Sequence, residues 1–219
     1  MGILIVQDPE TRRGYDEDWL AVNFPKTYAY LKRFKNTLLE RRDRGTRGLL
    51  EKGAPFYSMF AVGDYTFAPY KVVWTRVGKD IFGAVVGIAS VAGKPKPIVP
   101  AETAVLVAFQ EESEAHYFCS VLNSTPWRYV IVSTAVHGTG GFGSPNVLEK
   151  ARIPRYDPTN PIHRQLAALS QQAHEATAAG DTARVREIET EIDRLAAQLW
   201  GLTEAELREI QESLEELTQ

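Results

Sequence analysis

The run Gly138-Thr139-Gly140-Gly141-Phe142-Gly143 has the GxGxxG spacing that opens a dinucleotide-binding βαβ unit, but the residues after it forbid that unit. Such a unit needs a full helix and a further parallel strand within about 30 residues. Here Pro145 to Lys150 leaves room for about one helical turn before Pro154 ends it. The whole stretch from Glu114 to Pro158 reads as a helix, a strand from Arg128 to Thr134, the glycine loop, one helical turn and an extended Ile153-Pro154 exit. A loop held between such elements can offer backbone amides to a phosphate or a base edge. A plain flexible connection is the competing reading.

The rest of the chain surrounds this loop with alternating element types. Ile3 to Val6 is β-branched and apolar, a strand that starts almost at the first residue, as expected of a chain continuing from a longer one. Pro25 opens a helix with Tyr28, Leu31, Phe34, Leu38 and Leu39 at helical spacing. Gly45, Gly48 and Gly53 then predict a loose, irregular segment carrying Arg44 and Arg47. Two strands joined by Gly63-Asp64 are expected from Phe56 to Trp74, and another from Ile81 to Val91. Lys94-Pro95-Lys96-Pro97 reads as an extended connection, Ala104 to Phe109 as a strand, and Ser113 as the cap of a helix through Leu122.

After Pro158 the period is helical throughout. Pro161 starts a helix with Ile162, Leu166, Leu169 and Ala173, and a second carries Ile188, Ile192, Leu195 and Leu199. Thr203 with Glu206 forms a capping box that opens a third. The expectation is an α/β body with a mixed sheet over residues 1–158, followed by a C-terminal helical hairpin and short extra helix over residues 159–219.

Charge is segregated along this layout. Residues 1–100 hold 16 Lys+Arg against 10 Asp+Glu, whereas residues 161–219 hold 5 against 12. Between Lys26 and Lys52 nine basic residues face three acids. That asymmetry suits a polyanion-facing part joined to a solvated acidic part, with a merely solvated helix face as the alternative. The single cysteine, Cys119, lies in an apolar helical pattern, which reads as a buried inert thiol and argues against a disulfide framework or thiolate metal site. No apolar run approaches membrane-spanning length, so the expected setting is cytoplasmic, without a membrane partner.

Catalytic motifs are missing. His116, His137, His163 and His174 have no metal-ligand spacing, and neither GxSxG nor a Walker-type lysine occurs. No catalytic or metal-binding residue is therefore assigned. A small-molecule enzyme using the glycine loop would have to bind a nucleotide or S-adenosylmethionine, and no such binding is expected. His137 stands beside the glycine loop, where its imidazole can donate to a base or a phosphate. Lys71, Trp74 and Arg76 share one strand, with Lys71 and Arg76 on opposite faces by alternation; core packing is the competing role for Trp74.

The blocks PKTYAYLKRFKNTLLERR, PFYSMF, YTFAPYKVVW, EAHYFCSVLNS, SPNVLEKARIPRYDPTNPIHRQLAALSQQAHE and LWGLTEAELREI, in this order, resemble the C-terminal region of bacterial type IIG restriction-modification DNA methyltransferases that modify adenine. The resemblance implies an α/β target recognition domain with a helical spacer that grips double-stranded DNA and reads its site. It also implies that S-adenosylmethionine binding and methyl transfer belong to a separate catalytic domain, upstream or on another subunit, because the N/D-P-P-Y/F/W motif does not occur here. No cofactor is expected in this chain. On this view Arg41, Arg42, Arg44 and Arg47 contact phosphates, Lys71, Arg76, His137 and Thr139 lie near bases, and Trp74 and Gly140 belong to the same DNA-binding set. The alternative is a protein interaction module that works, or oligomerises, through the C-terminal helices with little DNA binding.

Overall fold

The computed structural model describes residues 2–101, 103–134, 141–143 and 146–218. Its contacts divide the chain into two units, one ending at Phe67 and one beginning at Ala68. The expected division after Pro158 falls inside the second.

In the first unit, strand pairing begins only at β1 (Gln7–Asp8), which pairs antiparallel with β2 (Arg13–Gly14); Ile3 to Val6 is not a strand. The side-chain amide of Gln7 stands in for further ladder bonds, donating to the Met59 carbonyl at 2.7 Å and accepting from its N–H at 2.9 Å. Gly14 is required by close approach, since a Cβ there would lie 2.8 Å from Ser58 Oγ and 2.9 Å from the Tyr57 ring. Helix α1 (Glu17–Asn23) is capped by Asp16, whose carboxylate accepts from two N–H groups of the first turn.

The helix expected from Pro25 is present but broken into α2 (Pro25–Lys32) and α3 (Lys35–Leu39). The break lies where Arg33 and Phe34 donate to carbonyls three residues back, a local tightening of the turn. Tyr28, Leu31 and Leu38 pack on the core of Val6, Leu20, Phe56 and Tyr57, whereas Phe34 and Leu39 of the same stripe are exposed.

Two further expectations fail in this unit. The segment with Arg44 and Arg47 is a helix, α4 (Arg44–Glu51), capped by Asp43 through a 2.7 Å bond from Thr46 N–H. Gly45 serves packing, because a Cβ there would meet the Phe60 ring at 2.3 Å. The strand expected before Gly63 is irregular, and the segment after it is the single turn α5 (Asp64–Phe67), closed by the Thr66 hydroxyl accepting from Gly63 N–H.

The second unit contains β3 (Tyr70–Thr75), β4 (Gly83–Val86), β5 (Ile88–Val91), β6 (Lys94–Pro97) and β7 (Ala104–Phe109). All pairings among them are antiparallel: one sheet has the order β4-β3-β7, and β5 pairs only with β6. The run expected as one strand is thus two, divided at Gly87, and the Lys-Pro-Lys-Pro connection is itself a strand. Helix α6 (Glu112–Asn123) begins a residue before the expected Ser113 cap and lies against β3 and β4. The side-chain amide of Asn123 takes both backbone groups of Gly83, accepting at 2.7 Å and donating at 2.9 Å.

The segment from Arg128 to Thr134, expected as a strand, belongs to α7 (Thr125–Thr134). Trp127, Ile131 and Val132 are buried at helical spacing, and Pro126 sits in the first turn where its missing N–H costs nothing. Its N-terminal cap comes from far along the chain: Asp193 accepts from Thr125 N–H at 2.7 Å. The short α8 (Asn146–Lys150) is the single turn that the prolines allow. Helices α9 (Pro161–Ala179), α10 (Thr182–Leu199) and α11 (Glu204–Thr218) follow as the periodicity predicts. Gly180 at φ 74° terminates α9, and the Thr203–Glu206 box opens α11. Leu166, Ile188, Ile192, Leu195 and Leu214 from these helices share one core with Val72, Trp74, Tyr117 and Trp127. No helix among the described residues is long and apolar enough to cross a membrane.

Candidate functional site

The arginines of the first unit expected to contact phosphates differ in what they can do. Arg41 is committed to the fold: its Nε donates to the Leu38 carbonyl and its Nη2 to the Phe56 carbonyl, both at 2.7 Å. Partial burial lowers its pKa, with Asp43 opposing. Arg47 forms an i,i+4 pair with Glu51 at 3.7 Å, open to solvent and easily exchanged for a phosphate. Arg42 and Arg44 are exposed at the start of α4.

On β3 Lys71 and its neighbour Val72 are both buried, so both faces of the strand are covered there and burial does not follow the alternation anticipated for Lys71 and Arg76. Lys71 is fully buried and its ammonium donates to the Ala68 carbonyl at 2.7 Å, while desolvation lowers its pKa. Trp74 is also buried, with Nε1 donating to the Phe142 carbonyl at 3.1 Å. Neither side chain offers a surface to a ligand. Arg76 is exposed, just beyond the strand end.

The described end of the glycine run converges on the same place. Phe142 is buried, its N–H donates to the Arg76 carbonyl at 2.8 Å, and Gly141 forms a bridge with Val77. A Cβ on Gly143 would lie 2.9 Å from Arg76 Nε. Glycine there lets the Arg76 side chain lie along the segment. His137, Thr139 and Gly140 lie outside the described residues. Arg76 and the Gly141–Gly143 segment are thus brought together by the Trp74 and Phe142 contacts.

Close by in sequence, Asp80 and Arg128 form a two-point ion pair that ties the loop after β3 to α7. The Arg128 guanidinium also lies 4.1 Å from the centroid of the Phe82 ring. A polar cleft of about 510 Å³ adjoins this pair, lined by Asn123, Thr125, Arg128, Asp193 and Gln211 among others. Asp193 bridges Thr125 and Gln211 across it.

The chain matches no family model. Over 101 residues, 46% of its length, it is 28% identical to the type II methyltransferase M.NspV of Nostoc sp. (strain ATCC 29411 / PCC 7524). This chain is similar in part to a restriction-modification methyltransferase. The match covers 19% of that relative's length.

The histidines apart from His137 serve the fold. His174 Nε2 accepts from Val85 N–H at 2.9 Å, so its proton is on Nδ1, which donates to the Ser170 carbonyl. His116 Nδ1 is 3.0 Å from Ser170 Oγ, and its pKa is lowered to about 4 by burial and then by His174. His163 Nδ1 accepts from Asp157 N–H and holds the extended exit after Pro154. Cys119 is buried, its thiol pKa pushed up to about 12 by desolvation, as suits an inert group. No cluster of His, Cys, Asp or Glu suited to a metal occurs among the described residues.

Proposed function

We propose that this chain recognises double-stranded DNA for a restriction-modification adenine methyltransferase and does not itself transfer the methyl group. The observation that carries the reading is the partial likeness to a type II methyltransferase. Residues 1–158 grip and read DNA, and residues 159–219 act as a helical spacer. S-adenosylmethionine is the cofactor of a separate catalytic domain, and the setting is cytoplasmic. Arg42, Arg44 and Arg47 supply sequence-independent phosphate contacts. Arg76 and the glycine segment beside it approach base edges, where a guanidinium fork distinguishes guanine. His137, Thr139 and Gly140 belong to the same loop by sequence.

A protein-interaction role for the C-terminal helices has less apolar surface available than their periodicity implies, because their stripes are buried in the core of their own unit. The test of the main reading is selection of bound duplexes from a random pool. A defined site is expected to emerge, and Arg76→Ala is expected to relax one position of it by ~1–3 kcal/mol of discrimination. A pool that stays random overturns the reading, and an unchanged site with Arg76→Ala removes Arg76 from it.

A further inference from the structure

The β5–β6 ribbon is used by neither the core nor the sites described above. It is a two-residue hairpin with Ala92 and Gly93 at φ 50° and 73°, the left-handed pair that such a turn demands. None of its residues belongs to the hydrophobic core, and Ile88, Ser90, Val91, Lys94, Pro95 and Lys96 are all exposed. A lone two-stranded ribbon is marginal in water, so one without core packing fits an element that acts on something outside the chain.

Its chemistry narrows the occupant. The register sets Val91 opposite Lys94 and Ala89 opposite Lys96, so strand alternation puts both lysines on one face with Ala89 and Val91 beside them on β5. Residues 81–101 contain no Asp or Glu. Pro95 and Pro97 occupy the alternate positions of β6 and have no N–H to donate, which denies the outer edge of β6 to an added protein strand. A slim, carboxylate-free ribbon with cations on one face matches the major groove of a DNA duplex, which is about 12 Å wide and admits a two-stranded ribbon.

We infer that the β5–β6 ribbon enters the major groove, with Lys94 and Lys96 facing phosphates or guanine edges and Ala89 and Val91 facing thymine methyls. This rests on the DNA-recognition reading and gives it an element that the sequence left as a connection.

The test uses the full chain and a random 30-base-pair duplex at ~0.1 M salt. Lys94→Gln/Lys96→Gln is expected to bind roughly tenfold or more weakly, with the slope of log affinity against log salt shallower by about 2. In the unmodified protein the duplex is expected to protect Lys94 and Lys96 from acetylation. Bulky substituents at pyrimidine C5, which fill the major groove, are expected to weaken binding. Both lysines are exposed, so an unchanged melting temperature shows that the variant folds. If the unmodified protein binds no duplex, the recognition reading itself falls. If it binds and neither the double substitution nor groove filling alters affinity, the ribbon inference alone falls. Equal protection of the lysines by an acidic polypeptide also overturns it, in favour of a protein partner.

Discussion

Asp193→Ala is expected to destabilise the second unit by ~2–3 kcal/mol, a fall in melting temperature of about 5–10 °C. One oxygen of this buried carboxylate accepts from the first N–H of α7 at 2.7 Å and the other from Gln211 Nε2 at 3.2 Å, so a single side chain on α10 joins three helices. The substitution removes a cap, withdraws negative charge from a helix N-terminus and leaves a half-buried amide without its acceptor. Asp193→Asn keeps an acceptor for Thr125 and is expected to lose about half as much. Urea unfolding measures both, and a loss below about 0.5 kcal/mol for Asp193→Ala would remove this residue from the account.

Acid is expected to unfold the protein partly through His116. Its folded pKa of about 4 lies below the ordinary 6.5, so the folded state binds its proton more weakly than the unfolded chain does. The stabilisation is complete above about pH 6.5, declines as pH falls and is lost below about 4, amounting to ~3 kcal/mol. His163 is shifted in the same direction by burial and adds to the effect. The physical cause is that an imidazolium beside His174, with ring centroids 5.0 Å apart, would be both desolvated and repelled. Unfolding free energies between pH 7 and 4.5 for the unmodified protein and His116→Gln give the difference directly. Parallel pH profiles would contradict it.

Where local pattern and tertiary packing agree, the elements could be read from sequence. The helices α9, α10 and α11 combine strong periodicity with their own caps, Asn160, Asp181 and the Thr203–Glu206 box, and all three occur. The segment from Arg128 to Thr134 is helical although Val130, Ile131 and Val132 favour a strand by propensity, because the cap that begins α7 lies on Asp193, far along the chain. Arg44 and Arg47 lie on a helix rather than on loose chain, and Gly45 there makes room for the Phe60 ring instead of loosening the backbone.

The candidate site was legible only in part. Alternation sets Lys71 and Arg76 on opposite faces, but both faces are covered at Lys71 and Val72, and Arg76 is exposed because it lies beyond the strand end. The ribbon turns at Ala92-Gly93, where an alanine at positive φ is not a residue type that announces a turn, while Pro95 and Pro97 argue against a strand.

The central claim, that the chain grips duplex DNA through cationic side chains, is tested most directly by equilibrium binding to duplex DNA across a range of salt concentrations. Log affinity is expected to fall linearly with log salt, with a slope of about −0.9 for each phosphate contact. Binding that does not depend on salt, or no binding at low salt, would contradict the account.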